Sequence, residues 1–173
     1  MDFTRVLAMV GDFLRGVDQP FAVIGALGLA ARGLSRTTFD VDIVVHFEAQ
    51  EKLLEFFESK GYKCEHVSSG YSNHSHSDQE LGRVDVVYVR GETAAKIFDG
   101  ASMHRAPGGI SIPVPRPEHL AAMKIFAIKN NPKRVFQDLE DIQQILRLPE
   151  VDRDEIVAYM RKNDMEALLD RLE

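Results

Sequence analysis

Residues Phe21–Val45, FAVIGALGLAARGLSRTTFDVDIVV, hold two short apolar runs with a small-residue segment between them. FAVI reads as a short buried strand, and Gly25 opens a helix, ALGLAARG, that Gly33 can close. DVDIVVHF is the second strand, and two acids, Asp40 and Asp42, interrupt it. Ionised carboxylates in an otherwise buried strand cost free energy unless something offsets them. Strand side chains alternate, so both acids leave one face, roughly 6–7 Å apart along the chain. Val41, Ile43 and Val45 take the other face and are placed to pack on helices.

A third acid, Asp85, lies in a similar apolar run, RVDVVYV. Neighbouring carboxylates raise one another's pKa unless they share a cation. If the two strands are neighbours, three hard oxygen donors converge on one face, a set suited to Mg²⁺ together with waters and phosphates. The plainer reading is that Asp40 starts its strand while Asp42 pairs with Arg36 or Arg83. Gly25 weighs against it. A glycine between a buried strand and a helix lets the backbone approach a phosphate closely, with helix N–H groups as donors.

The rest of the chain reads as mixed α/β up to about residue 116 and all-helical after it. An amphipathic helix over 2–17 presents Val6, Leu7, Val10, Phe13 and Leu14 on one face. QEKLLEFFESKG is a helix ended by Gly61, and YKCEHV is a further strand. SSGYSNHSHSDQELG is polar and reads as a loop or hairpin tip. TAAKIFDG is a short helix, and SMHRAPGGISIPV is a hairpin turning at Gly108–Gly109. Pro117 suits the first turn of a helix through EHLAAMKIFAIK. Pro132 restarts the chain into KRVFQDLEDIQQIL, and helices at about 152–162 and 164–172 follow. The expected organisation is a core over 1–115 and a helical segment over 116–173 packed on it as a single unit.

Composition is that of an ordinary soluble protein, 45% apolar and 28% charged. The N-terminus reads as a helix and not a signal peptide, and no apolar run approaches a membrane span. The single cysteine, Cys64, allows no internal disulfide and suits a reducing cytoplasm. A net charge of −6 argues against a nucleic-acid binder that relies on a globally basic surface. A local patch is another matter: His119–Gln137 contains no acid but carries Lys124, Lys129, Lys133 and Arg134.

Strand, glycine, helix and then R-x-T-x-D-x-D before an apolar strand resembles the nucleotidyltransferase superfamily with the DNA polymerase β-like fold. Gly25, Ala26, Gly33, Arg36, Thr38, Asp40 and Asp42 carry the likeness. MKIFA (Met123–Ala127) followed by KRVFQDLEDI (Lys133–Ile142) is similar to a motif of the abortive-infection toxin branch. The likeness spans about residues 21–146. It implies a mixed β-sheet with helices on one face, followed by a helical segment. It also implies a magnesium- or manganese-dependent transfer of a nucleoside monophosphate from an NTP to a hydroxyl of RNA, notably a tRNA end, of a protein or of a small molecule. A toxin–antitoxin or phage-defence role, with a cognate antitoxin as partner, goes with that branch.

By the same resemblance Asp40, Asp42 and Asp85 are the metal ligands. Gly25, Ala26, Arg36 and Thr38 surround the nucleotide, Lys124 contacts phosphate, and Asp138 holds that lysine or the acceptor. Asp141 is equally suited to pairing within its helix, for example with Arg134. Lys124, Lys129, Lys133 and Arg134 are the expected contacts to an RNA acceptor. The sequence departs from the family at Ala26, where glycine or serine is usual, so no hydroxyl is offered to a phosphate there. That departure also suits a catalytically silent nucleotide-binding or antitoxin-like protein of the same fold.

Outside these motifs, His74, His76 and Asp78 alternate in NHSHSD and share a face if the segment is extended. A transition metal wants fixed ligands, and the expectation is a solvated loop. Cys64 is expected to pack within its strand.

Overall fold

The structure, a computed structural model, describes residues 1–172. It divides into two compact units, Met1–Pro115 and Arg116–Glu173.

The first unit begins with helix α1 (Phe3–Gly16), whose first turn is capped by the Asp2 carboxylate accepting from the Arg5 N–H at 3.0 Å. Its stripe of Val6, Leu7, Val10 and Leu14 is buried. Strand β1 (Phe21–Val23), helix α2 (Gly25–Ala31) and strand β2 (Asp40–His46) follow. Then come α3 (Gln50–Ser59), β3 (Lys63–Val67), β4 (Tyr71–Ser75), β5 (Arg83–Val89) and α4 (Gly91–Asp99). A separate hairpin of β6 (Ser102–Arg105) and β7 (Ser111–Val114) closes the unit. The end of that hairpin is tied back to α2, where Arg32 Nη2 donates to the Pro115 carbonyl at 2.6 Å.

The main sheet has the order β1-β2-β5-β4-β3. Its central pair, β2 and β5, is parallel, and the flanking pairs are antiparallel. Val41, Ile43, Val84, Val86 and His74 are buried on one face of the sheet. Phe57 of α3 stacks on His74 of β4 with ring centroids 4.3 Å apart, and Phe13 of α1 stacks on Phe56 of α3 at 4.0 Å. Helix packing on one face leaves the residues of opposite parity, Asp40, Asp42, Asn73 and Asp85, half-buried on the other.

Two sequence expectations are corrected here. The polar segment after Val67 is not a loop throughout, because it contains β4. The Ser68 hydroxyl accepts from the Gly70 and Tyr71 N–H groups at 3.3 and 3.1 Å, making the turn that returns the chain from β3. A polar strand is affordable there because the sheet supplies its backbone partners on both sides. Cys64 is exposed, not packed, because β3 is an edge strand whose residues are all exposed.

His74 is fully buried, with Nε2 at 2.9 Å from the Ser72 hydroxyl, which lies 2.8 Å from Tyr88 Oη. His76 Nδ1 instead accepts from the Asp78 N–H at 2.9 Å, so the three residues do not form one ligand set.

The second unit consists of α5 (Pro117–Asn130), a 3-10 turn (Pro132–Arg134), α6 (Val135–Ile145) and α7 (Arg153–Lys162). The helix expected at about 164–172 is a 3-10 segment over Glu166–Arg171. Leu120, Ile125 and Ile128 of α5 are buried, as are Leu139, Ile142 and Ile145 of α6 and Ile156 and Met160 of α7. No helix among the described residues is long and apolar enough to cross a membrane.

Burial pushes the His74 pKa down from 6.5 to about 4. The folded state therefore favours neutral His74. Its contribution is present above pH 6.5 and is lost as pH falls from 6.5 towards 4. Chemical denaturation between pH 7 and 4 is expected to show stability falling across that window, with a shallower fall in His74→Gln.

Candidate active site: a carboxylate triad on the polar sheet face

Parallel pairing of β2 with β5 sets Asp42 directly against Asp85 and Asp40 against Arg83. One carboxylate oxygen from each of Asp40, Asp42 and Asp85 lies within 4.8 Å of the others. This is the one group of its kind among the described residues.

Each acid is held by neighbours. The Thr38 hydroxyl donates to Asp40 Oδ1. Asp85 Oδ1 accepts from Asn73 Nδ2 at 2.7 Å and from Arg83 Nε at 2.9 Å. That hydrogen bond to Asp85, together with the fields of Asp85, Asp40 and Asp42, raises the Arg83 pKa against a smaller opposing effect of burial. Arg83 thus forms an ion pair with Asp85, in the field of the other two acids. Asn73 did not stand out in the sequence as part of the site, and Arg83 stood out only as a candidate ion-pair partner of Asp42. Asn73 sits in the segment read as a loop, and only the β4–β5 register (Asn73 against Asp85) brings it in.

Gly25 has φ +59°, and a Cβ there would fall 2.0 Å from Asp42 Oδ2. The glycine is therefore required by the Asp42 carboxylate itself, which lies against the turn at the start of α2. Ile24 N–H donating to the Asp42 carbonyl at 2.9 Å fastens the same turn to β2. Ala26 is 1% exposed. Its methyl belongs to the packing under the turn, and a serine hydroxyl in that position would be buried. Arg36 Nη1 donates to the Thr37 carbonyl at 3.3 Å.

Lys124 and Asp138 lie in the second unit, where they form a buried ionic cluster. Lys124 Nζ is 2.9 Å from Asp138 Oδ1 and 2.7 Å from Asp141 Oδ2, and Arg134 Nε is 2.9 Å from Asp138 Oδ2. Asp138 is 0% exposed, Asp141 3% and Lys124 7%. Asp141 thus faces Lys124, and Arg134 pairs with Asp138. Two cations answer two carboxylates in a low-dielectric interior, which leaves Lys124 committed to its neighbours.

The triad has the donor chemistry of a hard-cation site. Three carboxylates so close repel, and Thr38, Asn73 and Arg83 are among the groups that offset it. A divalent cation accepting an oxygen from each would relieve that repulsion further, and all-oxygen donor sets of this type match Mg²⁺ or Mn²⁺.

Known structures carry the same fold. The antibiotic-resistance factor ANT(2'')-Ia superposes with a TM-score of 0.67 at 16% identity, over 99% of this chain and 97% of that one. A second structure of that protein, in complex with adenylyl-2''-tobramycin, gives 0.67 at 12% identity over 95% and 99%. The lincosamide antibiotic adenylyltransferase LnuA, bound to lincomycin, gives 0.55 at 15% identity over 83% and 96%. No family model and no curated protein matches the sequence. At these identities the likeness is one of fold: the chain has the mixed α/β architecture of nucleotidyltransferases.

Two outcomes follow. Asn73→Ala removes one of two hydrogen bonds to Asp85 and is expected to weaken Mn²⁺ binding about tenfold, as outer partners of metal ligands do, read by calorimetric titration. Lys124→Met takes the ammonium away from two buried carboxylates, leaving Asp138 its pair with Arg134, and is expected to cost about 3–5 kcal/mol in denaturant unfolding.

Proposed function

We propose that this protein is a metal-dependent nucleotidyltransferase that moves a nucleoside monophosphate from an NTP to an acceptor hydroxyl and releases pyrophosphate. The convergence of Asp40, Asp42 and Asp85 within 4.8 Å carries the reading. The fold shared with antibiotic adenylyltransferases supports it.

Asp40, Asp42 and Asp85 would hold Mg²⁺ or Mn²⁺, which when bound supplies charge neutralisation at the triphosphate and acidity at the acceptor oxygen. Thr38 fixes the Asp40 carboxylate, Asn73 and Arg83 fix Asp85, and Gly25 admits Asp42 to the turn where the nucleotide phosphates would lie. Arg36 and the backbone of Gly25 and Ala26 are the proposed nucleotide contacts. The acceptor oxygen forms a bond to the α-phosphorus as the bond to pyrophosphate breaks. Positioning and charge do most of the work in such transfers. Lys124, by its burial, acts by holding the second unit together and not as a direct phosphate ligand.

Three acceptor classes remain within the reading. The tobramycin and lincomycin complexes of the fold relatives favour a small hydroxylated molecule. The abortive-infection likeness of MKIFA and KRVFQDLEDI favours an RNA end, and with it a toxin role opposed by an antitoxin. A protein hydroxyl is the third. A silent nucleotide-binding protein is the second reading, favoured by the commitment of Lys124 to two carboxylates.

The test is incubation with each α-³²P-labelled NTP and Mg²⁺ or Mn²⁺ against total RNA, cell protein, tobramycin and lincomycin. Label transfer is expected to one class, falling at least about a hundredfold in Asp40→Asn and Asp42→Asn, since ligand carboxylates act in the transition state. NTP binding without transfer would support the silent reading, and neither binding nor transfer would remove both.

A further inference from the structure

The second unit carries a surface feature that the transfer chemistry does not use. The corner joining α5 to α6 is exposed from Lys129 to Arg134. Phe126 on α5 is 61% exposed and Phe136 on α6 is 78% exposed, among the most solvent-exposed large apolar side chains described. Their neighbours Ile125 and Ile128 are buried, so the chain fills its core without them. Both lie within about one helical turn of the corner.

The charge of the corner is as unusual as its rings. Between Glu118 and Asp138 the sequence has no acid, in a chain whose net charge is −6. Lys124 contributes nothing to this surface, being buried. Arg134 is half exposed but its charge is answered by Asp138. Lys129 and Lys133 remain: Lys129 Nζ reaches only the neutral Asn163 Oδ1 at 3.5 Å, and neither lysine is ion-paired among the described residues.

Exposed flat rings and exposed lysines at one helix corner suit a chain of phosphates whose bases are free to stack. We infer that the Phe126–Phe136 corner docks single-stranded nucleic acid, with bases stacking on the two rings and phosphates meeting Lys129 and Lys133. A duplex keeps its bases stacked inside and offers the rings nothing. The docking belongs to the helical unit and stands whether or not the triad catalyses transfer.

The experiment is fluorescence anisotropy of a 5′-labelled single-stranded oligoribonucleotide with the full chain, across salt, beside a duplex of the same length. Single-strand binding above duplex binding is expected, with a slope of log K against log salt of about −1.4 for two phosphate contacts. Phe126→Ala and Phe136→Ala, at exposed positions, are each expected to weaken binding about tenfold with an unchanged melting temperature. Lys129→Ala and Lys133→Ala are each expected to lower the slope by about 0.7. Asp40→Asn/Asp42→Asn, inert in transfer on the reading above, is expected to bind the oligonucleotide as the wild type does, which separates failure of docking from failure of catalysis. Equal binding of duplex, or unchanged binding in both phenylalanine variants, overturns the inference. So does a loss of self-association in Phe136→Ala without loss of oligonucleotide binding, which would make the corner a contact between copies of the chain.

Discussion

Mutual repulsion among Asp40, Asp42 and Asp85 is the constraint around which the first unit is arranged. Three carboxylates within 4.8 Å of one another are tolerated only where every neighbour is chosen for them. Thr38 and Asn73 donate to them, Arg83 opposes them with charge, and Gly25 gives up its side chain so that Asp42 can lie against the turn. The apolar face of the same strands is what anchors them. Val41, Ile43, Val84 and Val86 are buried, so the strands cannot turn to relieve the acids without exposing the core.

The second unit resolves a similar problem by the opposite means. Lys124, Asp138, Asp141 and Arg134 balance charge for charge inside packed helices. The acids and lysine of that cluster are sealed from solvent, whereas the triad's three carboxylates are only half-buried and are all negative. That contrast is why the triad and not the lysine cluster carries the functional proposal, although the family motif draws attention to both. It also moves the candidate polyanion contacts outward, from Lys124 to the exposed corner with Phe126 and Phe136.

Much of this was legible in the residues because local pattern controls it. Alternation in DVDIVV puts both acids on one face, and Gly25, Pro117 and the Gly108–Gly109 pair mark turns by backbone preference. Legibility failed where long-range pairing overrides composition. YSNHS has no apolar run, yet it is a strand because β3 and β5 hydrogen-bond to it on either side. Cys64 looked like a packed strand residue but lies on an edge, and edge position is not written in a strand's own sequence. Asp141 suggested a partner within its own helix, but the Lys124 ammonium of a neighbouring helix also lies 2.7 Å from it.

The sequence by itself determined the class of fold, the parity of Asp40 and Asp42, and the need for glycine between the first strand and its helix. Each follows from side-chain spacing and backbone sterics over a few residues. Only the tertiary structure decided that β5 lies parallel to β2 in the register that sets Asp85 against Asp42. It alone brought Asn73 and Arg83 to Asp85, and it alone turned Lys124 inward while leaving Phe126 and Phe136 in solvent. Those outcomes depend on which strands pair and which helix faces pack, and contacts between residues far apart in the chain set them.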